Sequence, residues 1–190
     1  MKERREVIAN CLKMNALGIN QGASGNISVR IGDRFLITPT GIAYDELKPA
    51  DIVLMQFDGS YEGRRLPSSE WRFHRDILKA KPEVKAVVHT HAMFATTLAI
   101  LGRDVPAHQY MIAVAGGHSI RCAPYATFGT QALSDNAIRA LDGRTCCLLA
   151  NHGMIATGPT LKKAMGLAVE VETLCAQYWR ALQIGEPRIL

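Results

Sequence analysis

The sequence predicts an α/β fold in which helices pack on the faces of one mainly antiparallel sheet. Two features of the chain support this prediction. Short strand-like runs in the first third are separated by Gly-Asp, Pro-Thr-Gly and Asp-Gly turns, and strands joined by such short turns pair antiparallel. Longer segments carry apolar residues at every third or fourth position, which is the period of an amphipathic helix.

The first half of the chain is predicted to contain two helices and three strands. Apolar residues at helical spacing indicate a helix over residues 3–17, which Gly18 ends. The strands follow at residues 27–30, 34–38 and 52–57. Pro-Ser-Ser at residues 67–69 begins the second helix, because serine is a favoured helix cap, and Pro82 ends it.

The second half is predicted to alternate strands and helices around an irregular section rich in glycine and proline. Thr130 and Thr160 precede two of these helices and are suited to cap them. The predicted elements are a strand over residues 84–90, a helix over 92–101, a helix over 131–141, strands over 146–150 and 154–156, and a long final helix.

The composition is typical of one globular domain that stays in the cytoplasm. A chain of 190 residues is long enough for one domain, 1–190, and short for two. The N-terminus has a helix-like pattern rather than the apolar core of a signal peptide. The oiliest stretch, residues 86–102, contains two histidines and three threonines, so it does not fit a membrane span. The five cysteines form no C-x-x-C pair and are predicted to be reduced.

The positive charge favours an anionic small molecule over nucleic acid as the partner. The formal net charge is +5 and the pI is near 9.1, but lysine and arginine are scattered and form no basic stripe interleaved with aromatic residues. A phosphorylated metabolite needs fewer positive charges than nucleic acid does. The apolar fraction of 48% also suggests that other subunits cover part of the surface.

Three histidines lie where a metal ion would need them. His89 and His91 end one apolar strand-like run, and His152 follows another. Alternate residues of a strand point to the same face, so the H-x-H spacing aims both rings in one direction. Three imidazoles leave one position of a tetrahedral zinc site open, as catalytic zinc requires. The alternative is that these are unrelated core and loop histidines.

Glu70 is the carboxylate predicted to lie near this metal. The Pro-Ser-Ser-Glu segment places it in the first turn of a helix, where the helix dipole favours negative charge. It could be a fourth ligand, or a base that removes a proton from carbon next to a metal-polarised carbonyl. The alternative is an ordinary acid at a helix start, with Ser68 and Ser69 acting only as caps.

Three loops are suited to hold a phosphate group. Each offers backbone amides beside a small hydroxyl or amide side chain, which can bind a dianion without lysine or arginine. Taken singly, each loop is also consistent with an ordinary tight turn. The residues are Gly25 and Asn26 in GASGN, Thr40 and Gly41 in ITPTG, and Ser68 and Ser69.

Two aromatic residues lie in irregular segments, where binding residues often occur. They are Tyr110 in HQYMIA and Phe128 in YATFG. Position alone does not separate a binding role from ordinary packing, and the same holds for His74, His108 and His118.

Taken together and in order, these motifs resemble the class II aldolase/adducin superfamily. The matching segments are GASGNISVR, ITPTGI, LPSSEWRFH, AVVHTHA, the stretch from HQYMIAVAGG to CAPYATFGT, and LLANHG. The resemblance covers nearly the whole chain and is strongest to the bacterial L-fuculose-1-phosphate aldolases. It implies a three-layer α/β/α fold around a mainly antiparallel central sheet, and a homotetramer with active sites at subunit interfaces.

The resemblance also implies roles for the candidate residues. His89, His91 and His152 would bind one zinc ion per subunit, and Glu70 would bind it at rest and then act as the acid/base. The phosphate loops would hold the phosphate of the substrate through Gly25, Asn26, Thr40, Gly41, Ser68 and Ser69.

The two aromatic residues receive roles on the aldehyde side of the reaction. Tyr110 would reach the site of a neighbouring subunit and donate a proton to the aldehyde oxygen, and Phe128 would position the aldehyde. The implied reaction is reversible, zinc-dependent cleavage of a ketose 1-phosphate, with L-fuculose 1-phosphate as first choice. The products would be dihydroxyacetone phosphate and L-lactaldehyde, formed through a zinc-stabilised enediolate.

Two other readings stay open at this point. The first is a different superfamily enzyme: a pentulose-5-phosphate 4-epimerase, a methylthioribulose-1-phosphate dehydratase or a tetronate-phosphate decarboxylase. Glu70 counts against the epimerase, whose pattern carries Asp at this position. The second is a non-catalytic scaffold like the adducin head domain, against which the intact His89, His91 and His152 argue.

The resemblance ends at the C-terminus. The bacterial fuculose-phosphate aldolases continue beyond the final helix into a tail that carries a further tyrosine and folds over the site, whereas this sequence ends at Leu190. The closure of the site and the preference for L-lactaldehyde are therefore left open.

Overall fold

The computed structural model describes residues 1–190 as five α-helices and nine strands. The helices are α1 (Lys2–Ala16), α2 (Trp71–Ala80), α3 (Met93–Ile100), α4 (Gln131–Ala140) and α5 (Leu161–Ile184). The strands are β1 (Asn26–Ile31), β2 (Arg34–Ile37), β3 (Val53–Gln56), β4 (Tyr61–Glu62), β5 (Ala86–Thr90), β6 (Val105–Pro106), β7 (Ser119–Ala123), β8 (Cys146–Leu149) and β9 (Gly153–Gly158). Short 3-10 helices cover Pro49–Asp51 and Tyr110–Ala115.

All nine strands belong to one sheet, in the order β4-β3-β2-β1-β5-β9-β8-β7-β6. Every neighbouring pair is antiparallel except β7 and β8, which are parallel. The central strand β5 pairs Asn26 of β1 opposite His89 on one side. On its other side it pairs Thr90 opposite Met154 of β9. The register therefore brings the end of β5 beside the start of β1 and the turn before β9.

Helices cover both faces of the sheet, so the fold has three layers. Alternate residues of β5 enter different cores, because successive side chains of a strand point to opposite faces. Val88 joins a core with residues of α1, α3 and α5, such as Leu98 and Leu174. Val87 joins a second core with residues of α2 and α4, such as Phe73 and Leu133. The burial of these two apolar faces fixes the layer order.

The predicted fold class is confirmed, and most predicted elements match the structure to within a few residues. One correction concerns α2, which begins at Trp71 rather than at the Pro-Ser-Ser segment. Glu70 is its N-cap residue, and its side chain makes no capping hydrogen bond. The carboxylate is therefore free of helix-capping hydrogen bonds and is available for contacts outside α2.

The irregular section predicted between residues 102 and 130 is the larger error. It contains β6, β7 and the 3-10 helix Tyr110–Ala115. β7 reads Ser-Ile-Arg-Cys-Ala and is only five residues long, between Gly117 and Pro124, which signal irregular structure. The two-residue strands β4 and β6 are too short to give any period.

The cysteines are unpaired, as predicted. Cys11, Cys146, Cys147 and Cys175 are buried and Cys122 is half-buried. Burial raises the pKa of the Cys146 thiol to about 12, so this side chain behaves as a small apolar group. No helix of the structure combines the length and the apolar character needed to cross a membrane.

A carboxylate from α5 holds the start of α3. The two oxygens of Glu172 accept hydrogen bonds from the backbone N–H groups of Phe94 and Ala95, both at 2.8 Å. These N–H groups belong to the first turn of α3, where no intrahelical partner exists. Because α3 starts two residues after His91, this contact also fixes the chain that leaves the candidate metal site.

We expect Glu172→Ala to lower the free energy of unfolding by about 1–2 kcal/mol, because two helix N–H groups lose a charged acceptor. Denaturant unfolding followed by circular dichroism measures the change. Glu170→Ala is the matched control, since Glu170 lies on the same helix but lines a surface cavity. Equal stability of the two variants would contradict the capping role.

Candidate metal and active site

The structure brings the three predicted histidines together at one end of the central strands. His89 lies one residue before the end of β5, His91 follows that strand, and His152 lies in the turn between β8 and β9. Their ring centroids are 4.8 to 5.0 Å apart. Their potential ligand atoms all lie within 4.8 Å of one another. The strand register described above produces this cluster directly.

Two glycines let the backbone close around the strand that carries the ligands. A Cβ atom on Gly25 would lie 2.5 Å from the carbonyl oxygen of His89. A Cβ atom on Gly153 would lie 2.4 Å from the carbonyl oxygen of Thr90. Both distances are too short for any side chain, so glycine is required on each side of β5.

The tautomer of His89 is fixed by the backbone. Its Nδ1–H donates to the carbonyl of Met154 at 2.9 Å, which leaves the lone pair of Nε2 facing the cluster. That Nε2 lies 3.1 Å from Nε2 of His91. Two ring lone pairs at this distance repel each other unless a proton or a cation lies between them.

Glu70 completes the cluster. The side chain is buried, at 5% exposure, and its Oε2 lies 3.2 Å from Nε2 of His89 while its Oε1 lies 3.2 Å from Nε2 of His152. Burial alone would raise the pKa of Glu70, but the neighbouring His89 and His152 outweigh burial and hold that pKa far below its usual range. The carboxylate is therefore ionised.

The donor set fits a divalent metal ion such as zinc. Three imidazole nitrogens and one carboxylate are borderline ligands that zinc accepts, and the fourth position can exchange with substrate. Oε1 of Glu70 is buried without a hydrogen-bond partner, which is costly for a charged group unless a cation is near. Burial above all lowers the pKa of His91 to about 4, so its ring is neutral and free to bind metal.

A hydrogen-bonded row of buried side chains leads away from Glu70. Nδ2 of Asn26 donates to Oε2 of Glu70 at 2.9 Å. Oδ1 of the same amide is hydrogen-bonded to Nε2 of His74, and Nδ1 of His74 lies 2.7 Å from Oγ of Ser28. His74 is completely buried, and this burial lowers the pKa of its ring to about 3.

Two of the three loops predicted to hold phosphate are joined to each other. The backbone N–H of Ser68 donates to the carbonyl of Thr38 at 2.9 Å, and that of Thr40 donates to the carbonyl of Leu66 at 3.1 Å. Ser68 is buried and its Oγ accepts from the N–H of Glu70 at 3.3 Å. Thr40, Gly41 and Ser69 are exposed, while Gly25 is packed against β5.

A cavity of about 280 Å³ opens beside the histidine cluster. Its lining residues are Ser24, Ser69, Glu70, His91, Tyr125, Ala126, Phe128, Asn151 and His152. Phe128 is 65% exposed, and Gly129 after it is held by Arg72, whose Nη1 donates to the Gly129 carbonyl at 2.7 Å. Phe128 is thus an exposed aromatic wall on an anchored loop.

The structure does not bring Tyr110 to this cavity. It begins the 3-10 helix Tyr110–Ala115 and is 73% exposed. Within one chain it is therefore separate from the cluster.

Sequence reasoning missed Tyr125 and Asn151 as lining residues. Asn151 is the non-glycine residue with a positive φ, 55°. A single Asn before His152 does not by itself predict this backbone conformation from the sequence.

Comparison with known proteins places this geometry in a family. Residues 5–179 match the family model described as Class II Aldolase and Adducin N-terminal domain. The chain belongs to this class II aldolase and adducin family. The predicted resemblance is confirmed at that level.

Individual members of the class II aldolase family are similar over almost the whole chain. A 5-methylthioribulose-1-phosphate/5-deoxyribulose-1-phosphate aldolase of Rhodospirillum rubrum is 58% identical over 98% of this chain and 85% of its own. An L-fuculose phosphate aldolase of Escherichia coli is 50% identical over 98% of this chain and 86% of its own. A solved structure of an L-fuculose 1-phosphate aldolase has a TM-score of 0.96 at 41% identity, covering 98% of this chain and 89% of its own.

We expect this class II aldolase family member to bind one zinc ion per chain, with the three imidazole nitrogens about 2.0–2.1 Å from the metal. His152→Ala should lose most of the bound zinc, because two imidazoles cannot hold it tightly. Metal content after dialysis, measured by mass spectrometry, gives the stoichiometry. The control is His118→Ala, since His118 lies outside the cluster. Unchanged zinc in His152→Ala would contradict the site.

Proposed function

We propose that this protein is a zinc-dependent class II aldolase. It reversibly cleaves a ketose 1-phosphate to dihydroxyacetone phosphate and an aldehyde. One observation carries the proposal: an ionised, buried carboxylate, Glu70, lies 3.2 Å from both His89 and His152 and has one oxygen without a hydrogen-bond partner. A base placed beside an open metal site is what deprotonation next to a carbonyl requires.

The metal and Glu70 have separate tasks in this proposal. Zinc held by His89, His91 and His152 would supply a Lewis acid that polarises the substrate carbonyl. Glu70 removes the proton from the neighbouring carbon when the carbon–carbon bond forms, and returns it after cleavage. The cavity restricts the water around this carboxylate, because Glu70 is exposed by only 5%.

The phosphate is proposed to bind beside the metal. Gly25, Asn26, Thr40, Gly41, Ser68 and Ser69 form this proposed set. The hydrogen bonds between the Thr38–Thr40 and Leu66–Ser68 segments support it, because they hold two of the loops in one place. Ser69 also lines the cavity together with Glu70 and His91. A 1-phosphate bound there puts the adjacent carbonyl within reach of the metal site.

The aldehyde is proposed to end in an apolar group. Exposed Tyr125 and Phe128 line the cavity, and exposed aromatic rings favour contact with apolar surface. L-fuculose 1-phosphate would give L-lactaldehyde, and 5-deoxyribulose 1-phosphate would give acetaldehyde, so both end in a methyl group. The relatives named for these two kinds of substrate are 50% and 58% identical to this chain, and we propose both as candidates.

Product analysis tests the reaction class. The zinc-loaded protein is incubated with L-fuculose 1-phosphate, 5-deoxyribulose 1-phosphate and methylthioribulose 1-phosphate, and dihydroxyacetone phosphate is detected by a coupled reductase. We expect it to form from at least one of them, and chelation to abolish the reaction. If none is cleaved while a pentulose 5-phosphate is epimerised or a sugar acid phosphate decarboxylated, another activity of the superfamily replaces the aldolase.

We expect Glu70→Gln to slow exchange of the C3 hydrogen of dihydroxyacetone phosphate with solvent by about 10² to 10⁴-fold. Three imidazoles remain, so the variant should keep its fold and much of its zinc. The exchange is followed by proton NMR in deuterated water, with Glu170→Gln as the matched control. Exchange at the parent rate would show that another group is the base.

The protein is also proposed to act as a homotetramer with sites at its subunit interfaces. Tyr110 supports this proposal because it is 73% exposed and lies away from the cavity of its own chain. In an assembly it would reach the site of a neighbour and donate a proton to the aldehyde oxygen.

We expect Tyr110→Phe to bind zinc normally and to cleave its substrate about 10²-fold or more slowly, because one general acid is lost. The exchange of the C3 hydrogen should persist, since that step needs no aldehyde. Tyr61→Phe is the control, because Tyr61 lies in the edge strand β4. Parent-like cleavage by Tyr110→Phe would exclude it as the acid.

A further inference from the structure

The hydrogen bonds in the row of buried side chains behind Glu70 run from donor to acceptor in one order. His74 lies one helical turn after Glu70 on α2 and is completely buried. It lies between Ser28 and Asn26, and Asn26 in turn contacts Glu70. Neither the metal cluster nor the cavity includes His74 or Ser28. Their hydrogen-bonded connection to Glu70 runs through Asn26.

Only one arrangement of protons satisfies the whole row. Glu70 is an acceptor, so Asn26 must turn its NH₂ group toward Oε2, where the distance is 2.9 Å. Oδ1 of Asn26 then faces His74 and needs a donor, which is Nε2–H of the ring. A neutral imidazole carries one proton, so Nδ1 accepts from the hydroxyl of Ser28 at 2.7 Å.

The opposite arrangement is unfavourable. If the ring proton were on Nδ1, Nε2 would need a donor and Asn26 would present its NH₂ group to His74. Its oxygen would then face the carboxylate of Glu70 at hydrogen-bond distance, and two acceptors would repel each other in a buried site. The ring of His74 is neutral because burial lowers its pKa to about 3, so a second proton does not remove the conflict.

We propose that His74 is a positioning residue for Glu70: by donating from Nε2 it fixes the amide orientation of Asn26, which in turn holds Oε2 of the carboxylate. The other oxygen, Oε1, is then left without a fixed donor and faces the cluster. The role in catalysis rests on the proposed aldolase function, whereas the role in placing a metal ligand does not.

The test compares two substitutions of similar length and shape. His74→Gln keeps an N–H donor for Asn26, and His74→Met removes it. We expect His74→Met to lower kcat for the C3 hydrogen exchange by about 10- to 100-fold, with little change in KM, and to weaken zinc binding by no more than Glu70→Gln does. His74→Gln should restore most of both. Competition with a chromophoric chelator gives the zinc affinity.

A double-mutant cycle separates positioning from general loss of structure. If His74 acts through Glu70, then His74→Met combined with Glu70→Gln should bind zinc no more weakly than Glu70→Gln alone. A merely structural role predicts that the two losses add. Ser28→Ala is the third variant and covers the case in which His74→Met does not fold. Ser28→Ala keeps the imidazole of His74, and it should weaken zinc binding by a smaller factor than His74→Met does.

The outcomes are distinct. Parent-like zinc affinity and kcat in folded His74→Met, or in Ser28→Ala where His74→Met does not fold, would overturn the proposal, and so would fully additive losses in the cycle. If zinc affinity shows the expected coupling while the parent protein exchanges and cleaves nothing, His74 positions a metal ligand and the aldolase function is the part that fails.

Discussion

The structure depends on keeping a charged carboxylate buried beside three imidazoles. A buried ionised group is costly unless it is paired and hydrogen-bonded. The amide of Asn26 donates to one oxygen of Glu70, and ring nitrogens of His89 and His152 lie 3.2 Å from the carboxylate. One oxygen still lacks a hydrogen-bond donor, and a metal ion in the cluster would supply the missing positive charge.

The sheet meets this constraint through its order of strands. The neighbouring strands β5 and β9 bring the three histidines to one end of the sheet, and Asn26 of the adjacent β1 holds the carboxylate of Glu70, which precedes α2. Glycines at positions 25 and 153 allow those neighbours to approach β5 at distances that exclude a side chain. The two apolar cores then hold the strands from both faces, so the histidines sit in or directly beside packed strands.

Much of the site could be predicted because its signals are local in sequence. The spacing of His89 and His91 implies a shared direction on any strand, and an apolar run before His152 implies a second strand end. The order of the motifs along the chain added the family, which the match of residues 5–179 confirms. The exposed Phe128 and Tyr110 lie in segments where binding residues often occur, and of the two only Phe128 reaches the cavity of its own chain.

The remaining features depend on contacts that no local pattern reveals. Asn26 stays a predicted phosphate ligand, but the bonds of its amide to Glu70 and His74 had no signal in the sequence, because those partners are distant along the chain. His74 appeared to be an ordinary packing residue because its partners are distant in sequence. Strand β7 was missed because its parallel pairing with β8 joins segments on either side of α4, and such pairing leaves no turn signal.

The most direct test of this account is the position of the metal. Crystals of the zinc-loaded protein are measured on both sides of the zinc absorption edge, and an anomalous difference map is calculated. The account predicts one peak per chain, about 2.0–2.1 Å from a ring nitrogen of each of His89, His91 and His152, with Glu70 adjacent and bonded to Asn26. The absence of a peak there, or full zinc occupancy at some other group of side chains, would contradict it.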